Sequence, residues 1–419
     1  MNFMGLGEIS WYLILPIINA ILGFGNISLN YVLDLPRYPV VDNLFNNIIL
    51  SLAFIPYLII KKINENKRNS TYFDKRRSTI YNKNLIIYLN KKNTEFILII
   101  AGIFFCLAEV IQSIFVTKTS IDLNYWEFEL IFITLVSKFL LKTLTYKHHQ
   151  LSLIVILFFS FLICIICIIY INVNPFIIIF LLIKQIFYSI CVILLKYLFE
   201  VKQYPILKLI SIIGSTGIVV NLFILIFVNN ISCDHFIFET VTCSAKFTNS
   251  DNETCYYLDN LSSYFKDLKS RYKGDGKIFP NYISGLFFFA DISYRISKTI
   301  YFVLFLFIIK NLYPSHTYLT SVLITLLIKI FELFKYDHED EIPVFVSILY
   351  LIMLLLIFYW AIIFNEVFIL KVFDLDEDVR IKMYKPQERR DTWFSKKALE
   401  SDADSTFTDA VDEHFDDDE

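Results

Sequence analysis

Charged residues are scarce in this chain of 419 residues. Asp, Glu, Lys and Arg make up 19% of it and hydrophobic residues 56%, whereas a soluble domain carries about 25% and about 45–50% respectively. The mean hydropathy is +0.56. This composition excludes a globular, fibrous or disordered soluble protein. It predicts a multi-spanning membrane protein, because ten spans of about 20 residues would absorb most of the apolar residues.

Signatures of soluble enzymes are also missing. The sequence has no Gly-x-x-x-x-Gly-Lys phosphate loop, no Gly-x-Ser-x-Gly turn, no His-Glu-x-x-His helix and no dinucleotide-binding glycine pattern. We therefore expect neither an enzyme nor an ATP-driven pump, and no cofactor, resident metal or nucleic acid partner. The adjacent pair His148 and His149 falls in a short turn between spans. There we expect interfacial side chains rather than metal ligands.

Ten apolar segments are long enough to cross a bilayer as helices. The loop at 61–92 holds ten Lys and Arg against two acidic residues, which predicts a cytosolic location for it. With ten spans, both termini are then cytosolic. No Lys or Arg precedes the first segment, so we expect a retained helix rather than a cleaved signal peptide. The predicted spans are about 9–30, 43–60, 95–116, 126–145, 151–171, 174–199, 206–229, 285–309, 316–334 and 343–366.

The domain organisation follows from these spans. Residues 1–8 form a short cytosolic N-terminus, residues 9–370 a membrane domain, and residues 371–419 a disordered cytosolic tail that is acidic at its end. The tail is either a solvated end or a docking site for a cytosolic adaptor. The membrane is an endomembrane (Golgi, vacuole or lysosome-like) or the plasma membrane.

The long loop at 230–284 falls on the luminal or extracellular side. It carries three glycosylation sequons, a modification made only on that side, and three cysteines that can oxidise there. One disulfide is expected, with the third cysteine free or paired elsewhere, and chance sequons are the alternative in a stretch rich in Asn and Ser. The candidates are Asn230, Asn252 and Asn260 for glycosylation, and Cys233, Cys243 and Cys255 for the disulfide.

Six charged residues lie too deep in the spans to reach the interface: Glu109, Lys138, Lys184, Asp291, Arg295 and Lys298. The last three share one face of one helix. These residues either pair across helices and fix the packing or line a water-filled cavity. The excess of cations among them favours an anionic solute. Charges nearer to helix ends are expected to reach the interface instead: Glu127, Glu129, Lys329, Glu332 and Glu366.

Two glycine-containing stretches, Gly23 to Asn26 and Gly214 to Gly217, interrupt the first and seventh spans. Broken helices of this kind form binding sites in transporters. Small residues also allow helices to pack closely, which is the alternative.

The third to fifth spans resemble the drug/metabolite transporter superfamily. The resemblance rests on residues 108–128 (AEVIQSIFVTKTSIDLNYWEF), 141–144 (LKTL) and 149–153 (HQLSL). Residues 194–200 (LLKYLFE) and 313–316 (YPSH) are similar to its eukaryotic branch, which includes nucleotide-sugar-transporter-like and chloroquine-resistance-transporter-like proteins.

Membership implies an all-α, polytopic membrane protein with ten transmembrane helices. They would form two inverted five-helix repeats, about 9–171 and 174–366, around a central cavity. The expected function is secondary-active transport of a small polar metabolite by alternating access, and the expected partners are the lipid bilayer and a small-molecule solute. The alternative is a receptor, sorting factor or scaffold that does not transport and that acts through the luminal loop and acidic tail.

Overall fold

A computed structural model describes residues 7–32, 38–67, 94–116, 128–141, 146–170, 175–200, 202, 204–229, 245–248, 254–257, 259, 261–272, 284–334 and 344–367. Their regular secondary structure is helical apart from one small hairpin. The helices are α1 Gly7–Val32, α2 Pro39–Ser51, α3 Phe54–Lys67, α4 Thr94–Val116, α5 Glu129–Leu140, α6 Lys147–Tyr170, α7 Pro175–Glu200, α8 Ile206–Val228, α9 Leu261–Tyr272, α10 Ser284–Asn311, α11 His316–Phe334 and α12 Val344–Phe364.

Seven stretches of these helices are long and apolar enough to cross a membrane: Val40–Lys62, Thr94–Ile114, Lys147–Ile166, Ile178–Glu200, Ile206–Val228, Asp291–Asn311 and Phe345–Phe364. The chain is therefore a multi-pass membrane protein. Helices α1 and α11 contain shorter apolar stretches, Leu13–Ser28 and His316–Phe331, and α5 has 12 residues. Each of the ten predicted spans contains a described helix, and in three of them the described apolar stretch is shorter than 18 residues.

The second span is divided into α2 and α3 at Leu52 and Ala53. The cause is Pro56, which lacks a backbone N–H and whose ring collides with the carbonyl four residues earlier, that of Leu52. Tighter hydrogen bonds replace the helical ones here, from the Ala53 N–H to the Leu50 carbonyl at 3.1 Å and from the Ile55 N–H to the Leu52 carbonyl at 3.0 Å. The span is therefore bent at this point.

Large apolar side chains cover the outward faces of several helices. Phe161 on α6, Ile226 on α8 and Phe345 on α12 are more than half exposed. So many exposed aromatic and aliphatic groups would form an aggregating patch in water. Contact with lipid is the environment that suits them.

Helices from the two halves of the chain interleave. Helix α1 packs against α10 and α11, α2 against α8, and α4 against both α7 and α8. Helix α5 packs against α7, and α6 packs against α12. Each half therefore buries its surface largely against the other.

Close helix contact explains the glycines of α8. A Cβ atom at Gly214 would lie 2.5 Å from the backbone nitrogen of Ser51, and one at Gly217 would lie 2.5 Å from the side chain of Asn47. Both neighbours belong to α2. The geometry therefore agrees with the close-packing interpretation for Gly214 to Gly217. At Gly25 on α1, by contrast, an added Cβ would meet no atom within 4 Å.

The loop at 230–284 contains a two-stranded antiparallel hairpin, β1 Ala245–Thr248 and β2 Thr254–Tyr257. Helix α9 packs against β1 and α10. The glycosylation candidates Asn230, Asn252 and Asn260 lie outside the described residues, as do Cys233 and Cys243, and only the backbone of Cys255 is described. The predicted tail at 371–419 and most of the loop at 61–92 also lie outside them.

Candidate functional site

A carboxylate is fully buried within the bundle. Glu129, the first residue of α5, is 0% exposed. Its two carboxylate oxygens accept hydrogen bonds from the hydroxyls of Thr317 at 3.3 Å and Ser321 at 3.0 Å, both on α11. A charged group of this kind is tolerated at membrane depth only when it faces protein or water.

Lys184 on α7 supplies the positive charge opposite this carboxylate. Its side chain is 4% exposed, and its charge acts on Glu129. The Lys184 Nζ atom also lies 5.5 Å from the ring centroid of Tyr188, one turn further along α7. We call Glu129, Lys184, Thr317 and Ser321 the inner cluster; it joins α5, α7 and α11.

Glu129 was expected to reach the membrane interface, but its side chain is fully enclosed by protein beside Lys184. With 12 residues, α5 is about 18 Å long, while the hydrocarbon core is about 30 Å thick. The described α5 is therefore shorter than the core, and its first residue lies inside the bundle. The positive end of the helix dipole stabilises a carboxylate at this position.

Arg295 on α10 forms a second group of charges. Its Nη2 atom lies 3.1 Å from an Asp42 carboxylate oxygen and donates to the Tyr264 hydroxyl at 2.9 Å. Its Nε atom lies 3.2 Å from Asp291, one turn earlier on the same helix. The guanidinium carbon also lies 5.6 Å from the centroid of the Phe45 ring. We call Asp42, Tyr264, Asp291 and Arg295 the arginine cluster.

Lys298 and Glu109 lie between these two clusters. The Lys298 Nζ atom donates to the Asn43 side-chain oxygen at 3.4 Å, and the Asn43 amide nitrogen donates to the Ser113 hydroxyl at 3.0 Å. Glu109 on α4 is within electrostatic range of Lys298 and also of Tyr188, beside the inner cluster. Helices α2, α4, α7 and α10 thus all contribute polar groups to one region.

Five of the six charges predicted from the sequence lie in this region, and the sixth does not. Asp291, Arg295 and Lys298 share a face of α10 as expected, whereas Lys138 has an exposed side chain on α5. With Lys138 outside, and with Asp42 and Glu129 inside, three cations face four carboxylates, which are Asp42, Glu109, Glu129 and Asp291. The cationic excess predicted from the sequence is therefore absent from the described part of the bundle.

Part of the loop at 230–284 covers one end of the arginine cluster. The buried Asp259 carboxylate accepts hydrogen bonds from the backbone N–H groups of Val40 at 2.6 Å and Val41 at 3.3 Å. These N–H groups belong to the first turn of α2, which has no intrahelical partners for them. Tyr264 stacks on Phe45 with ring centroids 5.4 Å apart. Asp259 and Tyr264 thus hold this part of the loop against α2 and α10, beside Arg295.

His148 and His149 lie at the start of a helix long and apolar enough to span the membrane, and protein encloses both side chains. They occupy the first turn of α6, and each is 4% exposed. Their ring nitrogens face Glu366, which follows α12. Glu366, which was expected to reach the interface, lies two residues beyond the end of α12 and is 11% exposed.

Comparison with known proteins adds no identification. No family model matches the chain, and no curated protein matches it. The resemblance to drug/metabolite transporters therefore stays a prediction.

Proposed function

We propose that this chain is a secondary-active transporter that moves a small polar solute by alternating access. The observation that carries the proposal is the pattern of helix pairing. In the proposed arrangement, α1 to α6 form one repeat and α7, α8, α10, α11 and α12 form the other, with α2 and α3 together making one span.

Helix α1 then corresponds to α7, α2 with α3 to α8, α4 to α10, α5 to α11 and α6 to α12. When each span is exchanged for its counterpart, most helix contacts become other contacts that also occur. The α4–α7 contact becomes α10–α1, the α4–α8 contact becomes α10–α2, and the α5–α7 contact becomes α11–α1; all six of these contacts occur. The α5–α6 contact becomes α11–α12, which also occurs, while α2–α8 and α6–α12 each map onto themselves. Inverted repeats related by an axis in the membrane plane produce this pattern.

Three contacts depart from this symmetry. The contacts α2–α4, α7–α10 and α10–α11 have no counterpart of comparable extent among the described helices. Each of them involves α4 or α10, the third span of its repeat. A conformation in which one repeat is tilted against the other makes such contacts unequal, and exchange between two tilted states is the basis of alternating access.

The inner cluster is the proposed solute site. It combines two buried, opposite charges that act on each other with hydroxyl groups, and it lies where a short helix begins inside the bundle. Transporters use the ends of short or broken helices to bind polar solute groups. Because the inner cluster holds one cation and one carboxylate, we do not carry over the preference for an anionic solute.

Uptake into proteoliposomes tests the proposal with many candidate solutes at once. Vesicles holding the purified protein are incubated with a mixture of isotope-labelled polar metabolites, and accumulated compounds are identified by mass spectrometry. We expect accumulation of at least one compound. Loss of accumulation is expected for the double variant Glu129→Gln with Lys184→Met, because the site loses both of its charges while no charge is left without a partner.

Lys138→Gln is the matched control, since it removes an exposed charge from the same helix that begins with Glu129. It should transport as the unmodified chain does. A chain truncated after residue 370 should also transport. Folded protein that accumulates nothing, but binds a cytosolic partner in a tail-dependent way, would favour the receptor or scaffold alternative.

A further inference from the structure

Two histidines and a glutamate form a group that the proposed transport cycle does not use. The Nε2 atoms of His148 and His149 lie 3.3 Å and 3.7 Å from the same carboxylate oxygen of Glu366. One donor atom from each of the three residues lies within 4.8 Å of the others. The two imidazole rings are 4.0 Å apart between centroids. We propose that these three residues bind a divalent transition metal ion of the zinc class.

The distances suit shared metal coordination better than direct hydrogen bonds. A charge-assisted bond between a histidine and a carboxylate is about 2.7–2.9 Å long, shorter than either distance here. Zinc–nitrogen and zinc–oxygen bonds of about 2.0–2.1 Å place two tetrahedral ligands about 3.3 Å apart. The His148 to Glu366 separation equals that value. Two imidazoles and one carboxylate also form a known zinc ligand set that leaves a fourth position open.

His148 supports this interpretation independently. Its ring is buried, and neither ring nitrogen has a hydrogen-bond partner among the described residues. Buried polar groups are nearly always satisfied in folded proteins. A metal ion at Nε2 would satisfy one of these nitrogens.

The backbone of Glu366 supplies a second indication. Its φ angle is 57°, the left-handed conformation that follows many helices and that glycine usually occupies. The Glu366 N–H donates to the Ile363 carbonyl at 3.0 Å and the Val367 N–H to the Ile362 carbonyl at 3.1 Å, which completes a Schellman motif. A glutamate is unfavourable here, and such strain concentrates at functional sites.

One existing contact must change when metal binds. The backbone N–H of Tyr146 donates to the Nδ1 atom of His149 at 3.2 Å, so the proton of the neutral ring is on Nε2. Coordination through Nε2 requires that proton on Nδ1 instead. The Tyr146 hydrogen bond is at the long end of the usual range, and it is exchanged for a bond to the metal.

Cobalt binding tests the site directly. Purified protein without an affinity tag is stripped of metal and titrated with Co²⁺, whose visible absorption reports tetrahedral coordination. We expect one Co²⁺ per chain, displaced by Zn²⁺, and a Zn²⁺-dependent rise in Tm because a ligand that binds the folded state stabilises it. The variants His148→Gln and Glu366→Gly should weaken binding by at least about 100-fold, since even changes outside the ligand shell cost 10–100-fold.

Glu366→Gly also separates binding from folding. Glycine suits the left-handed conformation, so this variant should keep or raise its Tm in the absence of metal while losing the cobalt absorption. The control is His316→Gln, which removes a different buried histidine and should bind Co²⁺ normally. Normal binding by folded His148→Gln or Glu366→Gly overturns the proposal. It is also overturned if the wild-type chain shows no tetrahedral cobalt spectrum, or if His316→Gln weakens binding equally.

Discussion

Replacing Gly214 by alanine should destabilise the protein by separating two helices. The added Cβ would lie 2.5 Å from the Ser51 nitrogen and 2.8 Å from the Asn47 carbonyl oxygen, whereas ordinary contacts begin at 3.4 Å. Helices α2 and α8 must therefore move apart by about 0.9 Å locally. The neighbours are backbone atoms, which cannot rotate away as a side chain can.

The size of the effect follows from two opposing terms. Overpacking costs about 1–3 kcal/mol, and we expect the upper end because the obstacle is backbone. Replacing glycine by alanine within a helix returns roughly 0.5–1 kcal/mol. The free energy of unfolding should therefore fall by about 2 kcal/mol, which corresponds to a decrease in Tm of roughly 4 °C.

Two other glycines provide a graded comparison. At Gly25 nothing lies within 4 Å, so Gly25→Ala should raise Tm slightly. At Gly23 the nearest atom is the Ile324 Cδ1 at 2.5 Å, the end of a flexible side chain, so Gly23→Ala should fall between the other two. Thermal unfolding of the purified variants in detergent measures all three. A Gly214→Ala protein as stable as Gly25→Ala would refute the reasoning.

Four further substitutions test the buried polar contacts. Glu129→Gln and Lys184→Met should each lower the free energy of unfolding by about 3–5 kcal/mol, since each leaves a buried charge unpaired. The double variant should lose less stability than the sum of the two single losses. Losses that simply add would argue against an interaction between the two side chains. Asp259→Ala should cost about 1 kcal/mol by removing a helix cap, seen as faster hydrogen exchange in the first turn of α2; unchanged exchange would contradict the cap. Tyr264→Phe should cost about 1 kcal/mol by removing the hydrogen bond from Arg295 while keeping the ring contacts; wild-type thermal stability would exclude that contribution.

The positions of the helices could be predicted from hydropathy, because a helix must satisfy its own backbone groups in lipid. Helix ends were less predictable. The predicted fourth span begins at 126, which puts Glu129 near the interface, whereas α5 begins at Glu129 itself inside the bundle. The apolar residues around it extend beyond the helix, so hydropathy could not locate its end.

Side-chain direction and long-range pairing could not be read from the sequence. Lys138 and Lys184 are both single cations in apolar runs, but one is exposed and the other buried, because only neighbouring helices decide which face turns inward. Similarly, Glu366 contacts His148 and His149, which lie more than 200 positions earlier in the sequence. No local pattern signals that contact. The shared face of Asp291, Arg295 and Lys298 could be predicted because helical periodicity alone determines it.

The interleaved helix pairing has a consequence for how the protein is made. Helix α1 packs against α10 and α11, which begin roughly 250 residues later; at about 5–20 residues per second, translation takes roughly 10–50 s to reach them. During that time Asn19 and Asn26, buried in the finished protein, have no partner helix. Assembly is therefore expected to wait until the second half has been inserted, and the first half is expected to depend on the insertion machinery or a membrane chaperone meanwhile.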